Sequence, residues 1–169
     1  YHFEVRDLWP EAPIQLKIIK NPIVKHILYW LEKTIYKNAE KIITLSPGMT
    51  KGVEKYGLNK KIELIPNISD CEYFQKEEKL TKNSFYYGVG EKFVISYIGA
   101  IGKVNNIEFI LSAAKECSNQ KLNNIVFLIA GRGGELKKLK YKSQELNLTN
   151  IKFLGFQNRN DLKKLLNIT

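Results

Sequence analysis

The sequence is poor in the residues that build metal centres and disulfide frameworks. Its 169 residues include only two cysteines, Cys71 and Cys117, and two histidines. The cysteines lie far apart in sequence and neither has the spacing of a metal ligand, so the pattern indicates neither a zinc site nor a disulfide framework. We therefore predict two reduced thiols and no bound metal.

Long apolar runs are also missing. No stretch approaches the roughly 18 apolar residues that a membrane span needs, and no charged-then-apolar leader precedes the first predicted strand. A soluble, cytoplasmic protein is the expectation. The chain starts at Tyr1, and its last apolar-periodic run reaches Thr169 without a stop signal. We therefore expect a fragment of a longer protein.

Acidic residues are scarce relative to basic ones. The chain has 27 Lys and Arg against 17 Asp and Glu, a formal net charge of +10. Such a field favours an anionic partner, such as nucleic acid, an acidic membrane surface or a phosphorylated small molecule. The excess can equally reflect a lysine-rich composition, because Lys, Asn and Ile are abundant throughout. A basic nucleic-acid-binding module without enzymatic activity is therefore the alternative, although no helix-turn-helix or RNA-binding signature accompanies the scattered lysines.

What the chain does contain is a regular alternation of β-branched strands and helices. The predicted strands are YHFEV, KIITL, KIELIP, KFVISYI, NIVFLIA and NIKFL. This order predicts βαβ crossovers and parallel sheets, and therefore an α/β fold with two Rossmann-like parts. Because the pattern dissolves into polar and aromatic residues after Pro66, we predict one domain over 1–66, a linker over 67–91 and a second domain over 92–169.

Local signals predict several helix boundaries. Asn21-Pro22 and Ser46-Pro47 each combine an N-cap residue with proline at the first helical position. After the first cap, apolar residues at Ile23, Ile27 and Leu31 have amphipathic spacing over about four turns. Later helices are predicted from about Val104 to Cys117, up to about Leu146, and from about Asp161, whereas RDLWPEAP is predicted to be a loop.

A glycine-bearing loop follows the strand KFVISYI. Gly99, Ala100, Gly102 and Lys103 stand where a parallel sheet binds ligands, outside the carboxyl end of a strand and before a helix. Glycine lets the backbone approach an anion, and Lys103 could add a charge, but the same residues can form a plain turn. The spacing matches neither G-x-G-x-x-G nor G-x-x-x-x-G-K-[ST], which argues against a nucleotide-dependent epimerase or dehydrogenase.

Two further loops occupy equivalent places. Gly131, Arg132, Gly133 and Gly134 follow the next strand, and Arg132 could either hold a phosphate oxygen or lie exposed in a turn. Gly155 and Phe156 follow the third strand. The aromatic ring could cover a base or pack beneath its loop.

Near the amino end, Asp7 and Glu11 flank the sequence LWP in the loop after the first strand. A carboxylate there could bind an acceptor hydroxyl or assist proton transfer, or Asp7 could simply pair with Arg6 or cap its loop. The segment from Lys17 to Lys41 holds six lysines together with Tyr29 and Trp30. It could rest on anionic lipid, or its apolar stripe could be buried against the sheet.

Taken in order, these motifs resemble a known family. The segments VRDLWPE, AEKIITLSPGMTKGV, KIELIPNISDCEYF, FVISYIGAIGK, FLIAGRGGELKKL and NIKFLGF are similar to landmarks of the glycosyltransferase family 4 (group 1) enzymes. Their GT-B fold has two Rossmann-like domains facing a cleft. The RDLWPE form is similar to that of transferases that build O-antigen, capsule or colanic-acid-like polysaccharides, including N-acetyl-fucosamine-type enzymes.

The resemblance implies transfer of a sugar from a nucleotide-diphosphate donor to a growing surface polysaccharide or lipid-linked glycan. It implies retention at the anomeric carbon, with no metal or other cofactor required and no nucleic acid bound. The part up to Pro66 would end the acceptor domain, and the part after residue 91 would begin the donor domain. The three glycine loops would hold diphosphate, sugar nucleotide and base, and the cytoplasmic face of the inner membrane is a further expected contact.

The sequence also departs from the family pattern. Pro66, Asn67 and Asp70 match a Pro-Asn-Gly-x-Asp hinge in which Ile68 replaces the glycine. Many relatives carry Arg where this chain has Ala100, and a Lys-Gly pair where it has Asn105 and Asn106. The family's paired glutamates, spaced E-x7-E, would lie beyond Thr169, so we expect weak donor binding and no turnover from this piece alone.

Overall fold

The computed structural model describes residues 1–77 and 87–169. The chain divides into two compact units, Tyr1–Ser69 and Asp70–Thr169. The division lies inside the predicted linker 67–91, of which residues 78–86 are outside the described part. Within the described ranges, no helix is both long and apolar enough to cross a bilayer.

The first unit is a three-stranded parallel sheet with three helices. Its elements are β1 (His2–Val5), α1 (Glu11–Gln15), α2 (Pro22–Asn38), β2 (Lys41–Thr44), α3 (Pro47–Glu54) and β3 (Ile62–Leu64). The strand order is β1-β2-β3, and both pairings are parallel, as predicted. Its core is small, built on Val5, Tyr36, Ala39, Ile42 and Val53.

Both predicted caps of this unit are confirmed. The Asn21 side chain accepts a hydrogen bond from the Ile23 amide at 2.8 Å, and the Ser46 hydroxyl accepts one from the Met49 amide at 3.3 Å. These side chains satisfy amides that the first helical turn leaves without a partner. The predicted loop RDLWPEAP extends too far, because α1 begins at Glu11 and includes Pro13. Proline is tolerated there because first-turn amides need no helical acceptor.

The second unit has the same plan. Its elements are β4 (Phe93–Ile98), α4 (Glu108–Asn119), β5 (Ile125–Ala130), α5 (Leu136–Glu145), β6 (Ile151–Gly155) and α6 (Arg159–Asn167). The order β4-β5-β6 is again parallel throughout. The predicted helix from about Val104 begins later than expected, at Glu108. A separate 3-10 turn covers Lys103–Asn105, and Asn106 after it has a left-handed backbone with φ 46°.

Both faces of this second sheet are covered. Along β5, Phe127 and Ile129 contribute to a core cluster that includes Leu111 of α4 and Leu139 of α5. The alternating residues of β5 point to the other face, into a cluster that includes Leu165 of α6. A strand buried on both faces explains the continuous apolar run NIVFLIA.

The register of this sheet brings its three carboxyl ends together. Ile98 of β4 is paired with Ala130 of β5, and Ala130 is paired with Gly155 of β6. The three glycine-bearing loops therefore start side by side at one sheet edge, which is where a doubly wound sheet binds its ligands.

Candidate nucleotide-sugar site

The three strand-end loops of the second unit are tied together by backbone hydrogen bonds. The Gly99 amide donates to the Ala130 carbonyl at 3.0 Å, and the Ile101 amide donates to the Arg132 carbonyl at 2.9 Å. The Gly131 amide donates to the Gly155 carbonyl at 2.7 Å. The edge of the sheet thus continues one step into its loops, which fixes the backbone positions around any ligand.

Two glycines are required by this close packing. A Cβ atom on Gly131 would lie 1.8 Å from the Gly99 carbonyl oxygen, and one on Gly133 would lie 2.2 Å from the Ile101 carbonyl oxygen. Gly131 also has φ 148°, a region that side chains disfavour. By contrast, a Cβ on Gly134 meets nothing within 4 Å. The contact between loops therefore explains Gly131 and Gly133, whereas Gly134 has no such steric requirement.

A cavity of about 330 Å³ opens where these loops meet. It is lined by Ile98, Gly99, Ala100, Ala130, Gly131, Arg132, Phe156, Gln157 and Leu162. Five of the predicted donor-binding residues, Gly99, Ala100, Gly131, Arg132 and Phe156, are thus brought together. Four of the lining residues are glycine or alanine, and such small side chains let a ligand approach the backbone.

Arg132 and Phe156 face each other at this cavity. The Arg132 guanidinium carbon lies 5.0 Å from the centroid of the Phe156 ring, within the range of a cation–π interaction. The Phe156 side chain is 66% exposed. Packing of this ring beneath its loop, one of the two predicted alternatives, is therefore wrong.

Gly102 and Lys103 belong to a different cavity. They line a space of about 320 Å³ together with Asn106, Ile107, Glu108, Glu135, Lys138 and Leu139. In this second cavity the Glu108 carboxylate accepts a hydrogen bond from Lys138 at 2.6 Å and another from Lys142. These lysines lower the pKa of Glu108 to about 2. Lys103 thus shares its cavity with a carboxylate that is already paired with two cations.

The remaining predicted residues of these loops lie outside the linings of both cavities. Within the described ranges, the lining of neither cavity includes Gly133, Gly134 or Gly155. Gly155 has φ 72° and provides the carbonyl that Gly131 binds. Asn106, for which the family resemblance implies glycine in many relatives, has the left-handed backbone that a glycine would favour.

Two lining residues were missed by the sequence reasoning. Gln157 directly follows Phe156, and its side-chain amide donates to the Leu154 carbonyl at 3.0 Å; its place in a strand-end loop was the available signal. Leu162 lies in the first turns of α6, and its apolar periodicity resembles that of any core position. No local pattern distinguished it.

The two candidate carboxylates of the first unit differ in their surroundings. Glu11 accepts hydrogen bonds from the Gln15 amide and from the Tyr29 hydroxyl, both at 3.0 Å. These bonds, first from Gln15 and then from Tyr29, lower the pKa of Glu11. Arg6 pairs with Glu4, so the predicted pairing of Arg6 with Asp7 is wrong.

Asp7 instead lines a small cavity of about 70 Å³ beside α2. Trp9, which is 47% exposed, and the buried Glu32 share this lining. The Glu32 carboxylate accepts a hydrogen bond from the Tyr56 hydroxyl. Burial, followed by this bond, raises the pKa of Tyr56 above its ordinary value.

The predicted hinge residues lie on both sides of the division between the units. Pro66 and Asn67 are exposed in the first unit. Asp70 opens the second unit, where its carboxylate pairs with Arg159 of α6. The Arg159 guanidinium carbon lies 4.3 Å from the centroid of the Tyr73 ring, so the start of this unit is held to α6. The hinge role itself stays a prediction.

Among the residues that the structure describes, neither unit supplies a group of ligands for a metal. Across residues 1–77 and 87–169, no three His, Cys, Asp or Glu side chains are grouped so that they could hold an ion. The polar groups at the first cavity are backbone amides and carbonyls, Arg132 and Gln157. Such groups suit an anionic or hydroxyl-bearing ligand.

Comparisons with known proteins find similarity to glycosyltransferases. A protein named for colanic acid biosynthesis and glycosyl transfer, WcaI of Escherichia coli (strain K12), is 27% identical over 139 residues, covering 80% of this chain and 33% of WcaI. A crystal structure of Anabaena Alr3699/HepE in complex with UDP-glucose matches with a TM-score of 0.77 at 18% identity, over 97% of this chain and 43% of that one.

WaaG, described as a glycosyltransferase involved in lipopolysaccharide biosynthesis, matches with a TM-score of 0.72 at 13% identity, over 97% of this chain and 47% of that one. These likenesses confirm the predicted α/β fold of GT-B type. The chain spans a third of WcaI and less than half of either solved structure. Residues 81–169, just over half of the chain, match the family described as Glycosyl transferases group 1. The chain belongs to this glycosyltransferase family.

Proposed function

We propose that the protein transfers a sugar from a nucleotide-diphosphate donor to a growing surface polysaccharide or lipid-linked glycan, with retention at the anomeric carbon. The observation that carries this proposal is the cavity between the three strand-end loops, with Arg132 at its rim and Phe156 exposed beside it. The solved relative HepE was crystallised with UDP-glucose, which supports a nucleotide sugar as the donor.

In this proposal Arg132 supplies the charge at the donor diphosphate. As the bond from the sugar to the leaving diphosphate breaks, negative charge grows on the phosphate oxygens, and a preorganised cation stabilises it. A guanidinium suits this role because its planar fork can donate two hydrogen bonds to one phosphate group. The exposed face of Phe156 would support the base, because aromatic faces stack well on bases.

Substitution of Lys103 provides the control for this assignment, because Lys103 carries the same charge but lines the other cavity. We expect Arg132→Ala to weaken binding of UDP or GDP to this chain by about 10- to 100-fold, since a hydrogen bond to a charged group contributes about 1.5–3 kcal/mol. Lys103→Ala should change the dissociation constant less than threefold. Titration calorimetry with the nucleoside diphosphates and the corresponding monophosphates measures both.

The opposite ranking, with Lys103→Ala the more damaging, would overturn the assignment of Arg132. No saturable binding of any nucleoside diphosphate, by this chain or by the full-length protein, would overturn the proposed donor. Retention is tested separately with the full-length protein by determining the anomeric configuration of the product by NMR. Inversion would contradict that part.

We further propose that Asp7 binds an acceptor hydroxyl. Its cavity also presents the exposed ring of Trp9, and carboxylates beside aromatic rings suit sugar hydroxyls and ring faces. Glu11 suits this role less, because its carboxylate is already bonded to Gln15 and Tyr29. In the full-length protein, Asp7→Asn should lower kcat/KM for the acceptor at least tenfold with little change for the donor, whereas Glu11→Gln should have a smaller effect. A larger loss for Glu11→Gln would reverse this choice.

No observation favours the alternative of a nucleic-acid-binding module. The family assignment leaves that reading without support, and Lys138 and Lys142 of the second unit are paired with Glu108. A cytoplasmic location stays a prediction from the sequence. Cys71 and Cys117 are free thiols in the structure.

A further inference from the structure

Helix α6 forms part of the wall of the cavity between the strand-end loops. Leu162, in its first turns, lines that cavity together with Gln157, which directly precedes the N-cap residue. The N-cap itself is well defined, because the Asn158 side chain accepts a hydrogen bond from the Asp161 amide at 2.9 Å and donates one to the Asp161 carboxylate at 2.7 Å. The position of the first turn of α6 therefore sets the shape of this wall.

The buried contacts of α6 lie on its core side. Leu165 is fully buried in the cluster beneath the sheet, and the Tyr87 hydroxyl from the same cluster donates to the Asp161 carbonyl at 3.1 Å. Arg159 and Asn160, at the start of the helix, are exposed. Contacts on the core side alone leave a short helix free to tilt, so an attachment on the outer side controls where its first turn lies.

The beginning of the second unit supplies such an attachment. We call residues 70–77 the strap. The Asp70 carboxylate pairs with Arg159, and the Tyr73 hydroxyl donates a hydrogen bond to the Asn160 side chain. The first two residues of α6 are thus bonded to the strap.

Arg159 is held by several groups of the strap at once. Its guanidinium carbon lies 4.3 Å from the centroid of the Tyr73 ring and 5.7 Å from that of the Phe74 ring, within the range of cation–π interactions. The Asp70 carboxylate accepts a hydrogen bond from it. A planar guanidinium can stack on a ring and donate along its edge at the same time, which an ammonium group cannot do. These contacts fix the direction of Arg159 and, through it, the first turn of α6.

The far end of the strap is attached further along the helix. The Glu77 carboxylate pairs with Lys163, and the Glu77 amide donates to the Asn167 side chain at 2.6 Å. Among the described residues, the lining of the donor cavity includes neither Lys163 nor Asn167. One end of the strap therefore holds the cavity side of α6, and the other end holds a part that does not reach the cavity.

We propose that the strap positions the α6 wall of the donor cavity, with Asp70, Tyr73 and Arg159 as its positioning residues. They act through Leu162 and Gln157, which line the cavity. The proposal rests on the proposed function, because it takes this cavity as the nucleotide-sugar site. A nucleoside diphosphate binds the molecules in which the wall is in place, so loosening the strap raises the apparent dissociation constant as that fraction falls.

Two isosteric substitutions provide a matched test in the full-length protein. Asp70→Asn breaks the ion pair at the cavity end, Glu77→Gln breaks the one further along the helix, and each removes one negative charge. The amide oxygen introduced at position 70 can still accept the hydrogen bond that the Tyr73 amide donates at 3.2 Å. We expect Asp70→Asn to weaken binding of UDP or GDP about two- to fivefold, the size set by an exposed ion pair, and Glu77→Gln to change it less than about 1.5-fold. Equal effects in titration calorimetry, or no effect of Asp70→Asn, would overturn the proposal.

Substitutions of Arg159 separate positioning from stability. Arg159→Ala removes the ion pair and the ring contacts together, so UDP or GDP should bind about fivefold more weakly or worse. Arg159→Lys keeps a charge beside Asp70 without the planar contact, and its affinity should lie between. In steady-state assays the KM for the donor should rise, whereas that for the acceptor should stay within about 1.5-fold. If the affinity instead follows the thermal midpoint across these variants and Glu77→Gln, the strap only stabilises the unit and the proposal fails.

A readout without nucleotide distinguishes this proposal from the proposed function. In the full-length protein with methyl-labelled leucine, the NMR signals of Leu162 should shift in Asp70→Asn and stay in place in Glu77→Gln. Those of Leu122, which lies between α4 and β5, should stay in place in both variants. Unmoved Leu162 signals in Asp70→Asn would overturn the positioning role. If neither UDP nor GDP binds the unchanged protein while Leu162 shifts as expected, the proposed donor fails and the positioning of the cavity wall by the strap is supported.

Discussion

Replacing Gly131 with alanine should break the contact between the first two strand-end loops of the second unit. The new Cβ would lie 1.8 Å from the Gly99 carbonyl oxygen, whereas real Cβ atoms essentially never come closer than 3.0 Å to a neighbour. One of the two loops must therefore move by more than 1 Å. Both loops belong to the cavity lining, so the movement also changes the candidate donor site.

Three effects set the size of the loss. Holding a side chain at φ 148° costs about 1–2 kcal/mol, and forcing an extra methyl into a packed contact costs about 1–3 kcal/mol. The hydrogen bond from the Gly131 amide to the Gly155 carbonyl contributes about 1 kcal/mol net and is lost if the second loop moves. Together we expect a loss of about 3–6 kcal/mol. For a unit of this size that corresponds to a thermal midpoint lower by roughly 15 °C or more.

Gly134 provides the matched control, three residues away in the same loop. A Cβ there meets nothing within 4 Å and the residue has no positive φ, so alanine should be neutral or stabilising by about 0.4–1 kcal/mol. Thermal and urea unfolding followed by circular dichroism measure both variants. If Gly131→Ala unfolds within about 1 kcal/mol of the unchanged chain, or if Gly134→Ala costs as much, the steric argument is refuted.

Two further predictions concern the second cavity. Since Lys138 and Lys142 hold the pKa of Glu108 at about 2 against an ordinary 4.5, this carboxylate stabilises the fold above pH 4.5 and the stabilisation is lost as the pH falls towards 2. The thermal midpoint of the unchanged chain should therefore fall more steeply over that range than that of Glu108→Gln, and parallel pH profiles would contradict this. At Asn106, with φ 46°, alanine should cost about 1 kcal/mol in urea unfolding and glycine close to nothing, whereas equal costs would show that the left-handed backbone is not limiting.

Much of the fold could be predicted because local and long-range signals agree. The dipeptides Asn21-Pro22 and Ser46-Pro47 fix two helix starts by chemistry that does not depend on the rest of the protein. The apolar run of β5 fits only a strand covered on both faces, and the alternation with helices then requires a parallel sheet. The place of the candidate donor cavity follows from the same reasoning, since parallel strands bring their carboxyl ends to one edge.

The orientation of α2 could not be predicted in this way. Its apolar residues show a clear stripe, and the usual inference is that such a stripe meets the core. In the structure Ile23, Ile27 and Leu31 are exposed, so burial of this stripe against the sheet, one of the two sequence predictions, is wrong. The core face contains Glu32, a charged residue that is rarely buried without partners. It is buried because the Tyr56 hydroxyl donates to its carboxylate, and Tyr56 lies 24 residues further along the chain. A partner that distant leaves no trace in the periodicity of the helix.

At the candidate donor site, the surroundings of Lys103 could not be predicted from the local sequence either. In sequence it is one residue from Gly102 and four from Gly99, so all three look like parts of one cradle. The 3-10 turn over Lys103–Asn105 directs the chain away from the sheet edge, and Lys103 lines the cavity that contains Glu108, Lys138 and Glu135. Arg132, which lies on the neighbouring loop and 33 residues away from Gly99 in sequence, shares the first cavity with that glycine. Proximity across the sheet, set by the register of β4 and β5, therefore decides which cation a diphosphate would meet. Because Ala100 and Asn105 stand where the family resemblance implies cations, our proposal gives that role to Arg132.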